Sequence, residues 1–181
     1  MREAHRLLRD ATRDAHERLD ALFMGFDLRD PDGYRRFIGA QAEAMLGIED
    51  ALDAAGAGDV LPDWPERRRG HLLAADARAL GIAIDPVPID GAMVAGEARI
   101  AAALYVLEGS RHGARHLRRL VPEGAPLDFL DADQPAGNWS KLLAKLDTIL
   151  YQPASQDVAI VAAREIFGVF EYRGRAWLTK A

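Results

Sequence analysis

Leu104-Tyr-Val-Leu-Glu-Gly-Ser-Arg-His-Gly-Ala-Arg-His-Leu117 sets two glycines, Gly109 and Gly113, one turn apart inside an otherwise strongly helical run. Each glycine costs a helix roughly 1 kcal/mol relative to alanine. Two of them at this spacing leave a strip of bare backbone that lets the helix bend or lets a flat ligand approach closely. Close helix–helix packing uses the same device and is the commoner explanation of glycine spacing alone.

The same helical period extends outward in both directions. Leu8, Thr12, Ala15, Leu19, Leu22 and Phe23 recur at three- and four-residue steps and predict a first helix ended near Gly25. Asp30-Pro31 reads as an N-cap followed by a first-turn proline. It opens a helix carrying Tyr34, Phe37, Ile38, Gln41, Met45, Ile48 and Leu52, which stops at Gly56-Ala57-Gly58. Trp64-Pro65 opens a polar helix through Leu80, and residues 82–89, with two prolines, form a linker. A long apolar helix is expected from about Gly91 to Leu120. Asn138 is expected to cap a helix over 139–151, and a last helix spans about 155–177. There is no alternating β-branched run and no Asn-Gly turn. The fold class expected is all-α, a single-domain bundle of six or more helices over residues 1–181.

Composition narrows the function classes. The chain has 181 residues, 49% of them apolar, and a net charge of −5, which argues against a duplex nucleic acid partner. The run Arg67-Arg68-Arg69 is expected to be a solvated helix face. The absence of cysteine excludes disulfides, thiolate metal sites and cysteine nucleophiles. No apolar run approaches the roughly 20 residues needed to cross a bilayer. The charged N-terminus lacks the apolar core of a secretory signal, so a cytoplasmic location without membrane insertion is expected.

Five histidines are present, and His16 lies at the edge of the first apolar stripe, between Ala15 and Leu19. Asp20 lies one turn further along, where a carboxylate accepts a proton from the ring nitrogen that does not bind metal. Arg9 lies two turns before His16, roughly 10 Å away along the axis at 1.5 Å per residue. A hydrogen-bonded core or boundary histidine among solvated charges is the better explanation of this helix by itself. Glu108, His112 and His116 form a second row at i, i+4, i+8, with Glu43 and Glu49 available elsewhere. A di-metal carboxylate site would need a second Glu-x-x-His, and none occurs.

Taken together, Leu8-Arg-Asp-Ala-Thr-Arg-Asp-Ala-His16-Glu-Arg-Leu-Asp20, Asp27-Leu28, Tyr34-Arg-Arg-Phe37, Tyr105-Val-Leu-Glu-Gly-Ser-Arg-His-Gly113 and the final segment with Ala162-Ala163, Phe167 and Trp177-Leu178 resemble the haem oxygenase family. The likeness is to its bacterial, biliverdin-producing members associated with bacteriophytochromes. It spans most of the chain, with the motifs in the right order. It implies haem sandwiched between a proximal and a distal helix. His16 is then the iron ligand, Asp20 its hydrogen-bonded carboxylate, and Arg9 a propionate partner, the helix spacing matching the distance from iron to propionate edge. Lys141 and Lys145 supply further propionate-binding cations. Thr12, Tyr105 and Phe167 line the pocket. Gly109 and Gly113 place bare backbone over the distal face, and Ser110 stands where some members use an aspartate to organise water. The implied reaction consumes haem, O2 and electrons from ferredoxin or a flavin reductase, and releases biliverdin, CO and ferrous iron. A bacteriophytochrome is the implied acceptor of biliverdin. Two departures stand out: Ala114 replaces a frequent third glycine, and His112 falls where a small or apolar residue is usual. A His112 that reached iron would close the site to oxygen, so the alternative is a non-catalytic haem-binding or sensing protein on the same fold.

Overall fold

The computed structural model describes residues 2–133 and 135–180, and among them every regular element is helical. The helices are α1 (Glu3–Ala11), α2 (Arg13–Phe23), α3 (Pro31–Ala54), α4 (Ala57–Val60), α5 (Trp64–Arg67), α6 (Gly70–Ala79), α7 (Glu97–Gly109), α8 (Arg111–Arg118), α9 (Asn138–Ile149) and α10 (Pro153–Leu178), with a 3₁₀ turn at Gly91–Val94. The 26-residue α10 runs along α7, α3 and α2, while α9 rests on α7 and α1. Burial of one stripe from each of these helices makes the core, which includes Leu8, Ile38, Met45, Leu104, Leu146 and Ile166, all with no accessible surface or nearly none.

Several boundaries fall as the sequence reading expected. The Asp30 side chain accepts from the Gly33 N–H at 2.8 Å, and Pro31 takes the first helical position. Residues 82–90 form no helix, and their main chain docks on α3 where Val87 N–H donates to the Glu43 carbonyl. Gly47 permits that approach, since a Cβ there would stand 2.0 Å from the Val87 carbonyl oxygen. Gly39 likewise accepts the Trp177 ring, whose Nε1–H donates to Glu43 at 2.9 Å, with Arg173 paired to the same carboxylate.

The expected long helices are broken, and each break has a local cause. The first helix divides at Thr12, whose φ of −110° and ψ of 7° leave the α region. The buried Thr12 hydroxyl donates to the Leu8 carbonyl at 2.7 Å, a back-bond that competes with the helix ladder. The helix expected over 91–120 begins only at Glu97 and divides at Ser110. The Ser110 hydroxyl donates to the Leu107 carbonyl at 2.7 Å. The helix expected from Trp64 to Leu80 divides at Arg68–Arg69. There the buried Glu49 carboxylate accepts from the N–H groups of Arg69 (2.7 Å) and Gly70 (3.0 Å) and caps α6. Asn138 does not cap α9: Gly137, at φ 88°, holds that position without a side-chain bond.

Candidate functional site

The bend at Thr12 puts Arg9 and His16 on different helices, so one straight helix does not set their separation. His16, on α2, is exposed over 62% of its side chain, and its Nδ1 lies 3.0 Å from Asp20 Oδ2. Its ring stands edge-on to Phe167 of α10, 6.0 Å between centroids. Phe167 itself is buried. Arg9 donates to Asp10 at 2.8 Å, and its charge acts on Tyr105 and on His5.

A second ring cluster forms where α1, α7, α8 and α9 meet. Trp139 is its hub: Tyr105 lies 5.6 Å away, His5 stands edge-on at 5.5 Å, and His112 edge-on at 5.0 Å. Burial, then the Arg9 cation, lowers the proton affinity of His5. Burial pushes the Tyr105 phenol up to about 12, so it remains protonated at neutral pH. His112 is turned back onto the end of α7, with Nδ1 3.0 Å from the Gly109 carbonyl oxygen. Lys141 reaches Asp63 at 3.5 Å, and Lys145 lies one turn on along α9.

The two glycines of the opening stretch are not spent on packing helices together. A Cβ on Gly113 would meet nothing within 4 Å, and one on Gly109 only the edge of Trp139 at 4.0 Å. At Gly39, Gly47 and Gly70, by contrast, a Cβ would sit between 2.0 and 2.7 Å from its neighbour. The bare strip on α7–α8 therefore stays bare, as a site for a flat ligand requires.

Behind that strip lies a network the sequence reading missed. The run Arg67-Arg68-Arg69 is not a solvated face: Arg67 and Arg69 are buried and Arg68 half-buried. Arg67 grips Asp63 at 2.8 Å, Glu108 at 3.1 Å and the Asn138 carbonyl. Arg69 donates to the Leu107 carbonyl at 2.8 Å and to Ser110 Oγ at 2.7 Å. Arg111 completes the set by donating to Glu108 at 2.9 Å and to the Arg67 carbonyl at 2.6 Å. The single Ser110 proton is thus committed inward, and the hydroxyl accepts from Arg69 as well. Glu108 points into this network while His112 and His116 are exposed, so the metal row does not assemble; among the described residues no cluster suited to a metal ion occurs. The signal in the sequence was three consecutive arginines with one acidic neighbour, too few carboxylates for a surface run to neutralise locally.

No protein-family model matches the chain. A haem oxygenase of Xanthomonas campestris is 29% identical, the match covering 78% of this chain and 88% of the relative. The chain is a haem oxygenase homologue. Its fold agrees: the haem oxygenase of Neisseria meningitidis, solved with NO and CO bound, superposes with a TM-score of 0.74 at 20% identity, over 100% of this chain and 94% of that one. The haem oxygenase of Leptospira interrogans superposes at 0.71 and 18% identity, over 97% and 100%. The all-helical bundle of this homologue is therefore the haem oxygenase fold, and the sensing alternative gains no support from its relatives.

Proposed function

We propose that this chain is a haem oxygenase that takes haem as both substrate and prosthetic group and opens it to biliverdin, CO and ferrous iron. One observation carries the reading to this chain's own residues. His16 is fixed through Nδ1 by Asp20 on an open face beside Phe167, which leaves Nε2 as the nitrogen offered to iron. The donor set fits: a neutral imidazole with a carboxylate behind it, and no thiolate anywhere in the chain. Bound haem supplies the site for reduction and for O2; the protein positions and encloses it.

Asp20 accepts from Nδ1–H and so fixes the tautomer and orientation of the His16 ring. Thr12 sets the angle between α1 and α2, and Arg9 would pair with a propionate of bound haem. Gly109 and Gly113 would let the macrocycle approach main chain, and Ser110, tied to Arg69, keeps the bend between them. Tyr105, protonated at neutral pH, is a hydroxyl donor in the wall, and Phe167 closes the proximal side. Lys141 and Lys145 lie on one face of α9 as further propionate partners. His112, turned onto the Gly109 carbonyl, would leave the distal face open to a small ligand. Ferredoxin or a flavin reductase is the reductant in this reading, a bacteriophytochrome the acceptor, and the cytoplasm the compartment. Among the described residues no helix is long and apolar enough to cross a membrane.

The test is a haem titration followed by reduction under air with catalase present. A stoichiometric Soret band that bleaches as a red-absorbing biliverdin grows is the expected result, with His16→Ala losing the histidine-ligated spectrum. A Soret band that survives reduction, or one that His16→Ala leaves unchanged, refutes the reading.

A further inference from the structure

On the outer side of α8 the chain builds a concave, positively charged cleft of about 420 Å³. Five arginines line it: Arg69, Arg111, Arg115, Arg118 and Arg119. Against them stand two carboxylates. Asp131 is taken by Arg118 at 3.0 Å, and Asp133 is exposed, contributing its main-chain carbonyl to Arg111 at 3.3 Å. Arg69 is held by main chain and Ser110, and Arg111 by Glu108. Arg115 and Arg119 are exposed and form no ion pair among the described residues, although the chain as a whole is acidic.

Arg111, Arg115 and Arg119 recur at four-residue steps and so share one side of α8 and its C-cap, with about 5–6 Å between successive Cβ atoms. Like charges at this spacing destabilise a helix. The helix dipole favours cations in the last turn, yet it does not require them to converge on one concavity. Phe129, under the Arg69 guanidinium at 4.9 Å, closes the back of the cleft and lowers the dielectric there. Burial, and after it the Arg111 cation, brings the pKa of Arg69 down to about 9.

We infer that this cleft binds an anion bearing at least two oxyanion groups, phosphate or carboxylate, gripped by Arg115 and Arg119 at the rim over the buried Arg111. Planar guanidinium forks match both oxyanions in bidentate geometry. Because Arg69 and Arg111 also brace the Ser110 bend, an occupant adds counter-charge to the residues that hold the distal backbone. The site belongs to the protein whether or not haem is bound, so its failure and that of the haem reading are separable.

The experiment is calorimetric titration of the haem-free full chain with inorganic pyrophosphate and, separately, with citrate, at ionic strength held constant with chloride. One-to-one saturable binding of either probe is expected, weakened about tenfold or more in Arg115→Gln/Arg119→Gln. The pair Arg13→Gln/Arg18→Gln on α2 should leave it unchanged. Preference for pyrophosphate assigns a phosphate ligand, and preference for citrate a polycarboxylate. Absence of saturable heat with both probes, or equal weakening in the α2 pair, overturns the inference.

Discussion

The two sides of the candidate haem site are built in opposite ways. On the His16 side the histidine and its carboxylate are exposed and joined by one i,i+4 contact, a pairing that contributes about 0.3–0.5 kcal/mol. On the Gly109 side a buried set of Arg67, Glu108 and Arg111, with Arg69 on Ser110, fixes the bend from behind. Neither arrangement is explained by the other's physics. The buried ions are there because the fold encloses them and must satisfy them. His16 is largely exposed, held by Asp20 and beside the Phe167 ring, and in the proposed reading it is the side that takes the ligand.

The contrast fails most visibly if the braced side is not braced. Arg67→Met leaves the buried Glu108 with Arg111 alone and removes a buried charge from the network, and should cost about 3 kcal/mol in urea unfolding at pH 7. A cost below that of an ordinary surface change would dissolve the distinction. A smaller effect tests the ring cluster beside it. Tyr105 ionises near 10 when unfolded but only at about 12 when folded, so the folded state holds its proton more tightly. That stabilisation is complete below pH 10 and disappears as pH rises from 10 toward 12. It is worth at most about 2 kcal/mol, and Tyr105→Phe should flatten the loss in alkaline melts.

Smaller again, and of opposite sign, is Gly113→Ala. Nothing lies within 4 Å of the added methyl, so the haem-free chain should gain up to about 1 kcal/mol while haem affinity falls. Gly39→Ala, driven into the Trp177 ring, should only destabilise. A Gly113→Ala protein that binds haem as before would mean that the bare strip has another use. The least effect belongs to His16→Ala, within about 0.5 kcal/mol of the parent in stability. A large loss there would make His16 a structural residue after all and erase the difference between the two sides.

The sequence by itself determined the helical class, the Asp30 cap, the linker over 82–89, and the candidacy of His16, Gly109 and Gly113. These follow from periodicity, turn chemistry and motif, all carried by residues near one another in the chain. The His16–Asp20 contact was legible for the same reason, since four residues on a helix always bring two side chains together. Tertiary structure alone decided where the long helices bend and what the charges do. Thr12 and Ser110 suit a helix until burial turns their hydroxyls onto carbonyls. Arg67 and Arg69 look like a solvated run until Arg67 meets Glu108, 41 residues away in sequence, and Arg69 meets the Leu107 carbonyl and Ser110, 38 and 41 residues away. Ring contacts of His5 and His112 with Trp139, and the pull of Arg9 toward Tyr105, likewise join α1, α7, α8 and α9. Such pairings depend on which faces the core brings together, and local pattern carries no record of partners so far along the chain.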